Sequence, residues 1–67
     1  MKTAKYINKT IRLKRNDVYQ YYHCYGISPY SENLLLVSEP DNEMEQYWLT
    51  LTDPSILEVS IVNIPNN

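Results

Sequence analysis

Phenylalanine is missing from the chain, and glycine, cysteine, tryptophan and histidine occur once each among its 67 residues. Each shortage closes a route. A lone cysteine, Cys24, excludes an intrachain disulfide, and Cys24 with His23 falls short of the ligand set that holds a structural zinc. A chain of this length buries only about 60% of the surface it exposes when unfolded. Without disulfide or metal, its stability must come from close packing or self-association. No apolar run approaches the roughly 18 residues of a membrane-crossing helix. The basic start, Met1 to Tyr6, runs into Ile7-Asn8-Lys9-Thr10 and not into the apolar stretch of a signal peptide. A single unpaired thiol suits a reducing compartment, so a cytoplasmic location away from membranes is expected. No cofactor and no metal are expected.

What is present points to a folded domain. Apolar residues make up 43% of the chain, too many for intrinsic disorder. Seven tyrosines supply most of the aromatic content. A core built for burial alone would use phenylalanine, because each buried tyrosine hydroxyl needs a hydrogen-bond partner. Several rings are therefore expected at a surface. There is no repeat, low-complexity run or linker, so one domain is expected over 1–67, frayed at 1–4 and 65–67. With a single glycine, turns must rely on Pro, Asn, Asp and Ser.

The hydrophobic pattern predicts strands. Ile7, Ile11 and Leu13 share a parity with Thr10, Arg12 and Lys14 between them, which predicts a strand over 6–14, bent or late-starting at Lys9. Arg15-Asn16-Asp17 reads as a polar turn. Residues 18–25 are rich in Tyr and Val and predict a strand. The rival is a helix capped by Asp17, with Val18, Tyr21, Tyr22 and Tyr25 on one stripe. Rotamer loss in Tyr and Val disfavours it. Residues 26–33 read as a loop, 34–37 as a central strand and 38–45 as a turn or exposed loop. Tyr47, Leu49 and Leu51 alternate with Trp48, Thr50 and Thr52, the clearest strand signature in the chain. Asp53-Pro54 starts a single 3-10 turn at 54–57, and Val59 to Ile64 is the last strand, stopped by Pro65.

Five strands, short turns and one 3-10 turn before the last strand form a recognisable order. With Tyr47-Trp48-Leu49-Thr50-Leu51, Asp53-Pro54-Ser55-Ile56-Leu57 and Val59-Ser60-Ile61-Val62, the chain resembles the SH3-like small β-barrel superfold. The resemblance implies an all-β, five-stranded antiparallel barrel. It covers the last third in motif and the rest in strand count. The Ala-Leu-Tyr-Asp-Tyr type motif and paired tryptophan of SH3 domains that bind proline-rich peptides are absent, so that ligand class is not implied.

Charge is segregated along the chain. All six basic residues (Lys2, Lys5, Lys9, Arg12, Lys14, Arg15) precede all eight acids, which begin at Asp17. Folding must turn that asymmetry into a basic edge and an acidic flank. Lys9, Arg12, Lys14 and Arg15 beside Tyr19, Tyr21 and Tyr25 match the physical recipe for single-stranded nucleic acid, in which cations track phosphates and rings stack on bases. The net charge of −2 opposes it, and the plainer reading is a basic strand lying beside an acidic one. Glu39, Asp41, Glu43 and Glu45 lack calcium-loop spacing. They read as a solvated loop, or as a patch that meets a basic protein and mimics nucleic-acid phosphates.

No catalytic set emerges. His23 and Cys24 are adjacent in a strand and point to opposite faces, so they cannot act as base and nucleophile. Cys24 is expected to be structural. If Leu49 and Leu51 face the core, Trp48 points outward, where a large ring anchors partners; otherwise it packs inside. The first expectation is a non-catalytic protein–protein interaction module, an accessory subunit or a phage-type inhibitor, binding through Trp48, Tyr19, Tyr21, Tyr25 and Tyr30. The partner is another protein, with a second copy of the chain among the candidates. Binding of RNA or single-stranded DNA is the alternative.

Overall fold

Alternation of apolar and polar residues makes five strands, and long-range pairing joins them into one antiparallel sheet. In the computed structural model, residues 2–62 are described. A one-turn 3-10 helix, Ala4–Tyr6, precedes β1 (Thr10–Arg15), β2 (Val18–Ser28), β3 (Ser31–Glu39), β4 (Asn42–Thr50) and β5 (Ile56–Val62). The strand order is β4-β3-β2-β1-β5. β4 and β5 are the two edges and do not pair with each other, so the sheet is open among the described residues. The protein is all-β, and the arrangement is consistent with a small β-barrel-like fold.

One face of the sheet holds the core. Ile11, Leu13, Cys24, Leu35 and Val37 are fully buried, with Tyr6, Tyr22 and Leu49 nearly so. Burying one such aliphatic side chain contributes about 1.5–3 kcal/mol. Apart from Tyr6 of the 3-10 helix, no second layer covers this face among the described residues, so the sheet must curl over itself to dry it. The pairing of β2 with β3 shifts register between Cys24 and Gly26 and again between Ile27 and Ser28, and β1–β5 and β3–β4 each carry a further shift, at Lys14/Arg15 and at Val37/Glu39. Bulges of this kind bend a strand and sharpen its twist. Gly26 sits in the first of them, inside β2 and not in a loop.

Three of the connections are two-residue turns. Asn16-Asp17 closes β1–β2 with Asn16 at φ 52°, a left-handed conformation that Asn tolerates. Pro29-Tyr30 closes β2–β3 and Pro40-Asp41 closes β3–β4. The loops expected over 26–33 and 38–45 are thus corrected to tight hairpins, because β2, β3 and β4 each run further than local hydrophobicity indicates. Cross-strand pairing supplies the missing preference. Before β5, the Ile56 N–H donates to the Asp53 carbonyl at 3.0 Å, so the single turn expected over 54–57 closes at Ile56 and the last strand begins there and not at Val59.

The first strand starts late. Asn8, at φ 62°, redirects the chain out of the 3-10 helix, and its N–H donates to the Cys24 carbonyl. Within the start expected to fray, Thr3 is buried and its hydroxyl donates to the Glu32 carbonyl. Met1, the end of the last expected strand at 63–64 and the tail at 65–67 lie outside the described residues. Among the described residues no helix is long and apolar enough to cross a membrane.

Candidate interaction surfaces

Register decides which side chains share the face turned away from the core. In the β1–β2 pair, Arg12 stands opposite Tyr21, and Lys14 opposite Tyr19. Cross-strand partners point the same way, so two cations and two rings form one surface. The Arg12 guanidinium lies over the Tyr19 ring at 4.6 Å, and the Lys14 ammonium lies 5.9 Å from the same ring. Tyr19 and Tyr21 are 47% and 45% exposed. On the other side of β1, Ser60 and Glu58 of β5 stand opposite Arg12 and Lys14.

Two expected members of the basic row are elsewhere. Arg15 has the parity of Leu13 and stands opposite Val18. Its guanidinium donates to Asp53 at 3.1 Å, the only ion pair among the described residues. Asp53 also accepts from the Ser55 N–H and hydroxyl, both at 2.9 Å. These hold its carboxyl below the ordinary range, the Ser55 backbone bond first and Arg15 after it. Lys9 is exposed but precedes β1, where its carbonyl accepts from Cys24 N–H. Arg15 is therefore removed from the basic surface, and Lys9 lies at its end.

Further along β2 the rings are less free. His23 meets Tyr25 edge-on at 4.8 Å. The Tyr25 hydroxyl lies 2.7 Å from that of Ser38, which donates to the Glu39 carbonyl. A serine hydroxyl has one proton, so Tyr25 is the donor in this pair. Tyr25 is half-buried and tied to the protein, whereas Tyr30 stands at the β2–β3 turn, 95% exposed. Cys24 is buried on the core side, its thiol pushed up by burial.

The second surface is β4. Eight of its nine residues are exposed, and Leu49 alone is buried. Trp48 stands opposite Leu36, while Leu49 stands opposite core Leu35. Trp48 accordingly points outward, 52% exposed, and Met44, across a register shift in the β3–β4 pairing, is 94% exposed. Tyr47 faces the other way and meets Tyr22 edge-on at 6.2 Å. Partial burial and the neighbouring Tyr22 push its phenol up. Glu39, Asn42, Glu45 and Tyr47 line a notch of about 60 Å³, far smaller than the pocket of a drug-sized ligand. Glu43 and Glu45 are strand residues at an edge and not loop residues, as expected from composition; Asp41 is at the turn.

The structure does not gather Trp48 with Tyr19 and Tyr21. Trp48 shares a cross-strand row with Leu36 and Gly26. From Gly26 back to Tyr19 is up to roughly 23 Å of strand. The single patch expected from sequence resolves into two. Met44 and Tyr47 were not foreseen as members; extending the 47–52 alternation back through Gln46 and Met44 would have found the first. Among the described residues no three His, Cys, Asp or Glu side chains converge as metal ligands. Comparison with known proteins returns no match to any family model, curated protein or solved structure.

Proposed function

We propose that the chain is a non-catalytic protein–protein interaction module that docks its partner along β4. The observation that carries this is a nine-residue edge strand, eight residues of it exposed, with Trp48 pointing outward. An edge strand offers unpaired backbone donors and acceptors to an added strand, and alternate side chains then supply specificity. Trp, Tyr and Met are enriched where proteins meet. Trp48 and the exposed Met44 further along the strand would grip apolar side chains of the incoming segment. Glu43, Glu45 and Glu39 favour Lys or Arg beside them. An extended segment with both apolar and basic residues meets both demands. An accessory subunit or an inhibitor of a larger machine fits such a one-sided docking element.

The test is affinity purification from the native host with wild-type and Trp48→Ala chains, each with and without nuclease. A protein retained by wild type after nuclease and lost with Trp48→Ala supports the reading. Retention that ignores Trp48, or that vanishes with nuclease alone, contradicts it. Circular dichroism confirms that the variant is folded.

A further inference from the structure

The β1–β2 surface is separate from β4, and its chemistry is of the opposite sign. We propose that Arg12, Lys14, Tyr19 and Tyr21 form a second binding site, for single-stranded nucleic acid. The register is the foundation. Arg12 and Lys14 project from the same face of β1, and Tyr19 and Tyr21 stand directly across from them. Successive outward positions on a strand are about 6.6 Å apart, a spacing that lets neighbouring rings meet neighbouring unstacked bases. The two cations lie between those rings and the β5 edge, where a backbone running along the strands would pass.

The Arg12–Tyr19 stack adds a second element. A guanidinium carbon 4.6 Å from the ring centroid joins cation and ring in one platform. Such a platform accepts a base on its π-face and a phosphate at its edge. Among the described residues no cation lies over Tyr21, which is 45% exposed and so open to the next base. Stacking does not distinguish bases, because every base has a π-face. Binding is therefore expected to be tolerant of sequence.

An acidic polypeptide is the competing ligand for a basic patch. Two features favour nucleic acid. The patch has as many exposed rings as cations, and a carboxylate chain has no flat surface to stack on them. Glu58 stands opposite Lys14 and limits the net positive charge, so charge alone makes a poor anion trap here. Affinity must lean on the rings.

The probes are short fluorescein-labelled oligothymidine and oligouridine, titrated with the full chain and read by fluorescence anisotropy. Two phosphate contacts imply a salt slope near −1.4, or roughly seven-fold weaker binding between about 50 and 200 mM salt. Tyr21→Ala is expected to weaken binding five-fold or more. Arg12→Gln with Lys14→Gln should weaken binding and remove its salt dependence. Glu58→Gln should tighten binding, a gain that a misfolded variant does not give. Trp48→Ala should leave it unchanged, which separates this site from the β4 reading. No binding at low salt overturns the proposal. So does binding of polyglutamate as tight as that of the oligonucleotides and indifferent to Tyr21, which would assign the patch to an acidic protein.

Discussion

β4 and the β1–β2 pair both display aromatic rings to solvent, yet they differ in what lies beside each ring. Tyr19 has a guanidinium and an ammonium over its face. Trp48 stands across from Leu36, on a strand with Glu43 and Glu45, and no cation–ring contact to it occurs among the described residues. β1 is an inner strand with both edges paired, whereas β4 has one edge open. The first surface thus offers side chains alone, and the second offers backbone as well. Identical ring chemistry serves different ligands once register has chosen its neighbours.

The largest expected effect falls on what the two regions share. Leu35 is fully buried beneath the sheet, and Leu35→Ala should cost about 2–5 kcal/mol. Chains of this size are stable by only roughly 3–10 kcal/mol. Urea denaturation should show the loss, and both binding activities should fall with it. If one activity survived at full strength in the unfolded fraction, that surface would not depend on the fold.

Trp48→Ala separates the regions. Removal of an interface anchor should weaken partner binding by at least about 2 kcal/mol, roughly thirty-fold. Because the ring is half exposed, folding stability should change by less than about 1 kcal/mol. Calorimetric titration and urea midpoints read the two quantities. A large stability loss without a binding loss would make Trp48 a packing residue.

On the other face, Tyr19→Ala should cost about 0.5–1 kcal/mol of stability through the lost cation–ring contacts. That cost should shrink in Arg12→Gln, where the principal contact is already gone. A double-mutant cycle showing no coupling would break the contrast between covered and uncovered rings.

The smallest effect concerns Arg15, the cation that left the basic row. Asp53 is held below its ordinary range chiefly by the Ser55 backbone N–H, with Arg15 contributing. A depressed carboxyl pKa stabilises the fold above the unfolded value, near 4, and the contribution is lost as pH falls through the folded value. Asp53→Asn should lower the urea midpoint slightly at neutral pH, and the two proteins should converge below about pH 4. A constant difference across that range would remove the carboxylate from the account.

Much of this was legible in local pattern. Parity put Leu49 and Trp48 on opposite faces, though burial in the folded sheet was needed to turn Leu49 inward and Trp48 outward, and the Tyr-rich segment from Val18 is extended because its side chains favour a pleated surface. Asn16 marks the first turn by its tolerance of positive φ. What escaped the sequence depends on distant partners. Gly26 reads as a loop residue until β3 is laid beside it and a bulge explains it. Arg15 looks like a fourth basic contact until Asp53 arrives from across the fold. Trp48 and Tyr19 belong to one aromatic inventory, and only the pairing of β2 through β3 to β4 moves them apart.

Trp48 is the only tryptophan, so its fluorescence reports one position on β4 and nothing else. Acrylamide quenching of the free chain and of the chain bound to its co-purified partner tests the docking edge most directly. The expected result is ready quenching when free, and a blue-shifted, shielded emission when bound. Shielding already complete in the free chain, or emission unchanged by the partner, would contradict docking along β4.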